Sequence, residues 1–475
     1  MTPPNIVLIL VDDLGWRDLG CYGSTFHETP HIDALAAGGM RFTEAYAASP
    51  VCSPSRASLL SGKDAARVGI TDWLGGQGVG RLLNTPYLRG LPENEYTLAR
   101  ALRAAGYRTW HVGKWHLGGG RSLPDHHGFD LNVAGSSRAL PGSYVSPYRM
   151  ENLRDGPDGE YLTDRLTDEA IALVDRAGDS PFFLNLWHYA VHTPIQAPAP
   201  LVEKYRAKAR AMGLPEDAFE EGEPMAAWHL RGQRIRRRTL QSDPGYAAMV
   251  ENLDANVGRL VEALRERGLL QNTVIVFTSD NGGLSTAEGS PTTNQPLREG
   301  KGWLHDGGLR VPLIVAGGGT IPGLDTETVT STPDLFPTIL ELAGLPPLPA
   351  QHLDGRSIAG SLRGEVAAPH SIHWHYPHYS NQGGRPSSAV RSGRYKLIRD
   401  WETGHVALYD LDADTGEEHD LATTLPDVLA ELTDDLDRWL TDVGALVPRP
   451  NPYPHPFDDP QPGDHGVSRR RDRHR

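Results

Sequence analysis

Residues 49–62 read Ser-Pro-Val-Cys-Ser-Pro-Ser-Arg-Ala-Ser-Leu-Leu-Ser-Gly. Pro54 falls where a helix begins, a position that tolerates proline because its missing N–H would have no helical partner there. Arg56 to Leu60 continue with helix-compatible residues, and Gly62 can end the helix. Cys52 therefore lies at or just before a helix N-terminus, where unpaired N–H groups and the helix dipole favour negative charge. Arg56, about one turn on, can point back to the same spot. The stretch joins a reactive side chain to a small anion-binding pocket. A lone cysteine more commonly packs as a small hydrophobe, so the rest of the chain has to supply the chemistry.

Strand ends elsewhere supply it. Residues 5–11 form an unbroken apolar run, the pattern of a parallel strand buried on both faces, and end in Asp12-Asp13. Ligands bind at strand C-termini in open α/β sheets, and adjacent carboxylates there repel unless a cation sits between them. A strand over 273–278 ends likewise in Asp280-Asn281. Asp12, Asp13, Asp280 and Asn281 together offer oxygen ligands for a hard cation such as Ca2+. A strand over 107–112 leads to Lys114 and His116, which alternate and so face one side of an extended segment. A further strand over 181–187 leads to His188 and His192, two histidines and so too few for a metal site by themselves.

The remaining chain alternates helices with strands. Helices are expected over 29–36, 97–105, 161–176, 246–267, 333–343 and 425–443, and strands over 41–47 and 311–316. The glycine-rich 75–80 stretch reads as a loop and not a nucleotide cradle. Residues 200–245 are the least regular. Arg231, Arg234, Arg236, Arg237 and Arg238 read as a solvated helix face balanced by the acidic 216–223 stretch, with a sulfated-polymer contact as the sharper alternative. Residues 389–399 and 405–411 alternate like a hairpin. Three units are expected: a catalytic domain over 1–365, an α+β subdomain over 366–447, and a disordered tail over 448–475, rich in Pro, His, Asp and Arg. Trp73, the 75–80 loop, His305, His373, His375 and His378 are expected to border a substrate pocket.

Bulk properties narrow the class. The chain has 475 residues, 39% hydrophobic and 22% charged, as in a folded enzyme with a large core. A net charge of −14 argues against general nucleic-acid binding. Two cysteines exclude a disulfide framework, and a Cys21–Cys52 bridge is not expected. No apolar run is long enough to span a membrane. The N-terminal run is short and lacks a basic leader, so it does not read as a signal peptide, and a cytoplasmic location is expected unless a leader has been removed.

An ordered set of motifs over residues 5–415 resembles that of the type I, formylglycine-dependent sulfatases, of the arylsulfatase and N-acetylgalactosamine-6-sulfatase kind. It comprises Asp12-Asp13 with the following Leu14–Gly23, Cys52-x-Pro-x-Arg56, Gly113-Lys-Trp-His-Leu-Gly118, His192-Thr-Pro194, Asp280-Asn281 and Gly300-Lys301. It closes with Asp306-Gly-Gly-Leu-Arg-Val-Pro312, where Asp306 stands in a place more commonly Glu. The resemblance implies the alkaline-phosphatase-like fold, a large and mostly parallel sheet between helices followed by a smaller antiparallel sheet with a helix. It implies that a maturation enzyme oxidises Cys52 to Cα-formylglycine, and that Ca2+, with Mg2+ less favoured, is held by Asp12, Asp13, Asp280, Asn281 and the modified Cys52. It further implies catalytic roles for Cys52, Arg56, Lys114, His116, His192 and Lys301 in hydrolysis of a sulfate monoester, on a carbohydrate or an aryl group. A phosphatase or phosphodiesterase of the same superfold, and a non-catalytic binder of sulfated glycans, are the rival readings.

Overall fold

A computed structural model describes residues 3–215 and 217–452. The large sheet comprises β1 (Asn5–Val11), β2 (Met40–Phe42), β4 (Arg108–Gly113), β5 (Leu131–Val133), β6 (Phe182–Trp187), β9 (Thr273–Ser279), β10 (Leu313–Ala316) and β11 (Leu324–Thr326). Their order across the sheet is β11-β2-β10-β9-β1-β6-β4-β5. The middle strands β9, β1, β6 and β4 run parallel, and only β10 opposes its neighbours. Every residue of β1, β6 and β9 is buried, as their apolar runs require when helices cover both faces. Val7, Ile9 and Val11 pack with helices Leu162–Asp175 and Pro244–Glu266 on one face. Ile6, Leu8 and Leu10 pack with Leu59 and Leu60 of helix Cys52–Ser61 on the other.

The fold class is thus mixed α/β with a separate antiparallel sheet. That sheet has four strands in sequence order: β13 (Ile372–Tyr376), β14 (Ser387–Ser392), β15 (Tyr395–Asp400) and β16 (Val406–Asp410). Its Val390, Leu397 and Leu408 meet Leu432, Leu436 and Leu440 of helix Pro426–Asp442, leucines spaced one turn apart. Its other face, with Trp374, Tyr376, Ala389 and Ile398, packs on Tyr46, Val51, Leu304 and Leu309. A buried charge group ties the sheets together. Lys396 Nζ lies 2.6 Å from Asp306 Oδ1 and 3.0 Å from Glu417 Oε1, while Tyr46 Oη donates to Asp306 Oδ2 at 2.8 Å.

Several expectations are corrected. Residues 41–47 are not one strand: the chain breaks at Thr43-Glu44 between β2 and β3 (Ala45–Tyr46). Residues 200–245 are regular, with helix Ala199–Met212 and a hairpin of β7 (Phe219–Pro224) and β8 (Arg234–Arg238). The arginines therefore sit on and beside a strand, not on a helix. Glu220 opposes Arg237 and Glu221 opposes Arg236, and such charged cross-strand pairs conceal the usual apolar alternation. Glu216, counted among the balancing acids, lies outside the described residues. The 389–399 stretch is two strands turning at Gly393. Of the expected tail, residues from 453 lie outside the described ones, but Arg449 and Asn451 exchange backbone bonds with Leu83 and Arg81. Both cysteines are free. No helix among the described residues is long and apolar enough to cross a membrane.

Removing the cation from between Asp306 and Glu417 leaves two buried carboxylates facing each other. Lys396→Met should lower stability by about 3–5 kcal/mol in denaturant titration; an unchanged midpoint and slope would contradict this account of how the small sheet is held.

Candidate active site

Four adjacent parallel strands deliver their ends to one place. Val11 pairs with Ser279, and Trp187 pairs with both Leu10 and Gly113. The next residues continue the ladder: Asp280 N bonds Val11 O at 3.2 Å, His188 N bonds Leu10 O at 2.9 Å, and Lys114 N bonds Trp187 O at 2.8 Å. Register alone thus brings Asp12, Lys114, His188 and Asp280 together. Gly113, at φ +107°, allows the turn out of β4, since a Cβ there would lie 1.9 Å from Trp187 O.

The charges are buried and matched. Lys114 Nζ donates to Asp12 Oδ2 at 2.5 Å and Lys301 Nζ to Asp13 Oδ2 at 2.7 Å. Arg56 Nε and Nη2 reach Asp280 Oδ2 at 2.9 and 2.7 Å, and Nη1 reaches Lys114 O at 3.0 Å. Arg56 is fully buried and spent on these partners, so it holds carboxylates instead of facing an anion pocket as its spacing suggested. Burial pushes Asp280 up to about 6 against the pull of Arg56. Asp13 ends far below the usual carboxylate range, burial being outweighed by Lys301, His192 and Lys114. Burial opposes the charge on Lys301, but Asp13 holds it protonated.

The donor set fits a cation. Asp12 Oδ1 and Asn281 Oδ1 are buried acceptors with no hydrogen-bond partner among the described residues, a costly arrangement unless something else satisfies them. Asn281 Nδ2 donates to Asp13 Oδ1 at 2.8 Å, and Asp13 N donates to Asp280 Oδ1 at 3.2 Å, so the expected set is one connected group. Asp12, Asp13 and His192 each present a ligand atom within 4.8 Å of the others, which adds His192 to the candidates.

Cys52 opens helix Cys52–Ser61, with Val51 extended before it and Gly62 left-handed after it. Its side chain is 3% exposed, and Sγ lies 3.2 Å from His116 Nδ1. His116 is held at φ +54° by the bond of its N–H to Ser136 O and by Ser53 Oγ donating to its carbonyl. Burial keeps His116 neutral, reinforced by Lys114 and Arg56. Burial first, then Lys301, pushes His192 down to about 4. Burial raises the Cys52 thiol, partly offset by Lys114 and Lys301. His188 packs in the interior, also neutral.

Above Cys52 lies a cavity of about 180 Å³, lined by Cys52, His116, His192 and Lys301, with Trp73 on one wall. The expected histidines lie elsewhere, because their rings serve the fold. His373 stacks on Trp439 and bonds Asp435, His375 is held by Ser388 Oγ and Leu446 O, and His378 by Thr71 and Asn84. His305 faces Glu417 and borders a different cavity, of about 310 Å³. Glu288, Leu140, Asn381 and Gln382 line the cavity instead. They lie in loops without periodicity, so no sequence signal marks them.

A family model described as Sulfatase matches residues 4–345, and one described as N-sulphoglucosamine sulphohydrolase, C-terminal, matches residues 300–443. Arylsulfatase A of Homo sapiens is 34% identical over 90% of this chain and 86% of its own length. N-acetylgalactosamine-6-sulfatase of Sus scrofa is 35% identical over 76% of this chain and 66% of its own length. The solved structure of Ps i-CgsB in complex with k-i-k-neocarrahexaose matches with a TM-score of 0.73 and 28% identity, covering 92% of this chain and 93% of that one. With matching over well beyond half its length, this chain belongs to the sulfatase family, enzymes that hydrolyse sulfate esters.

Proposed function

We propose that the chain hydrolyses a sulfate monoester with Cys52, oxidised to Cα-formylglycine by a maturation enzyme, as the nucleophilic position. The observation that carries this is Cys52 Sγ at 3.2 Å from a neutral His116, on the floor of a cavity that Lys301 also lines. The names of the relatives support a sulfated carbohydrate or an aryl sulfate as substrate.

Asp12, Asp13, Asp280 and Asn281 would hold a divalent cation, with Ca2+ suited to this all-oxygen set. When bound, such a cation polarises sulfate oxygens and makes a hydroxyl beside it more acidic. The hydrated aldehyde offers two hydroxyls on one carbon, one to attack sulfur and one whose deprotonation expels sulfate and restores the aldehyde.

The chain's own side chains do the rest. His116 meets the Cys52 side chain through Nδ1 and is uncharged, so it can take a proton there. Lys301, kept protonated by Asp13, offsets negative charge on the ester and carries the proton that the leaving oxygen needs. Lys114 joins it by charge, and Arg56 holds Asp280 in place. His192 donates its Nδ1 proton towards Thr193 O at 2.8 Å and presents Nε2 to Asp13 at 3.5 Å, which orients its ring at the cavity wall.

Cys52→Ala should cut turnover of 4-nitrophenyl sulfate at least about a thousandfold, and retained activity would remove Cys52 as nucleophile. A wild type that turns over the corresponding phosphate faster, with zinc, would favour the phosphatase reading. Tight binding without turnover by aldehyde-bearing protein would favour the glycan binder.

Calcium binding should be linked to protons. Below pH 6 the raised Asp280 carboxyl is protonated in the free protein, so the cation must displace that proton. Affinity measured by calorimetry should fall about tenfold per pH unit below 6 and level off above it. Constant affinity between pH 5 and 7 would show instead that Asp280 is already ionised across that range, and would overturn the proton linkage.

A further inference from the structure

We propose that Glu288 selects the substrate: the pocket takes a single sulfated ring whose far side carries a hydroxyl or ammonium donor, and disfavours a ring with a second anionic group there. The inference rests on the sulfatase reading and concerns what lies beyond the ester.

The cavity, at about 180 Å³, is small for a ligand site, with room for about one ring. Glu288 is the one carboxylate among its described lining residues. Every other charge at the site is matched, Asp12 with Lys114, Asp13 with Lys301 and Asp280 with Arg56. Among the described residues Glu288 makes no hydrogen bond and no ion pair, and its charge acts on Lys301 across the cavity. Asn381 and Gln382 line the same space with uncharged amides. The buried charges at the sulfate end thus balance one another, and Glu288, exposed where Cys52, His116, His192 and Lys301 are buried, adds a single unpaired negative charge at the mouth.

The loop that carries Glu288 is fixed in place. Glu288, Gly289 and Ser290 are all left-handed, at φ +53°, +93° and +40°. The β8 strand pins them: Arg238 N bonds Ser285 O at 2.9 Å, the buried Arg238 side chain donates to Ser290 O, and Ser290 Oγ donates to Arg236 O at 3.1 Å. Two members of the basic cluster thereby acquire a role: Arg238 through its side chain and Arg236 through its carbonyl hold the loop that carries this carboxylate. An unpaired carboxylate on a fixed loop rewards a donor and penalises an anion beside it, so specificity arises from repulsion as well as attraction.

The test compares 4-(aminomethyl)phenyl sulfate with 4-carboxyphenyl sulfate, whose rings match and whose far charges are opposite. The ratio of their kcat/KM values in the wild type is divided by the same ratio in Glu288→Gln, which cancels leaving-group differences. The quotient should be about tenfold or more in favour of the ammonium, and Glu288→Lys should reverse the preference. A quotient near one with both esters hydrolysed would overturn the role of Glu288 while leaving the sulfatase reading intact. Failure of aldehyde-bearing wild type to hydrolyse either ester or any of a panel of sulfated monosaccharides would overturn both.

Discussion

Asp12, Asp13 and Asp280 are buried together at the ends of two neighbouring strands, and each is gripped by a cation from a different segment: Lys114, Lys301 and Arg56. Everything near the site follows from that matching. Buried charges without partners would cost several kcal/mol each, so the strand ends, helix Cys52–Ser61 and the loop before Lys301 must meet in one geometry. The orphaned oxygens of Asp12 and Asn281 show that the matching stops short of complete, in the place where a cation finds hard ligands. With a cation bound, Asp12 and Asp13 would hold Lys114 and Lys301 less strongly, which would leave these lysines available to an incoming sulfate.

Cys52 depends on this framework without belonging to it. Its helix is buried throughout, and hydroxyls satisfy backbone groups around its start: Ser53 Oγ bonds His116 O, while Ser55 Oγ exchanges bonds with Ser49. The small sheet closes over the same region, with Trp374 Nε1 bonded to Ala47 O at 2.8 Å just before the Cys52 turn. Strain collects here too, since Asp13, His116 and Glu299 are all non-glycine residues with positive φ. A thiol raised by burial is a poor nucleophile at neutral pH. That fits a position whose chemistry arrives by modification.

Much of the site was legible because parallel strands turn sequence position into spatial position. Asp12, Lys114, His192 and Asp280 each follow an apolar run, and neighbouring runs in one sheet end side by side. The aromatic and histidine cluster misled, because abundance says nothing about whether a ring faces solvent or serves packing; His373 and His375 are committed to Trp439 and Ser388. The hairpin of β7 and β8 escaped notice because its strands alternate acids and bases that pair with each other. Glu288 and the Lys396–Glu417 pair were hidden for a third reason. Their surroundings are set by the fold, and no local pattern encodes them.

The central claim is that a fully assembled pocket becomes an enzyme only when Cys52 changes chemically. Peptide mass mapping of residue 52 across samples of differing maturation, each assayed for kcat on one sulfate ester, tests it directly. The account predicts turnover proportional to the fraction of Cys52 present as aldehyde and extrapolating to zero with the intact thiol. Full turnover from protein whose Cys52 is entirely thiol would contradict it.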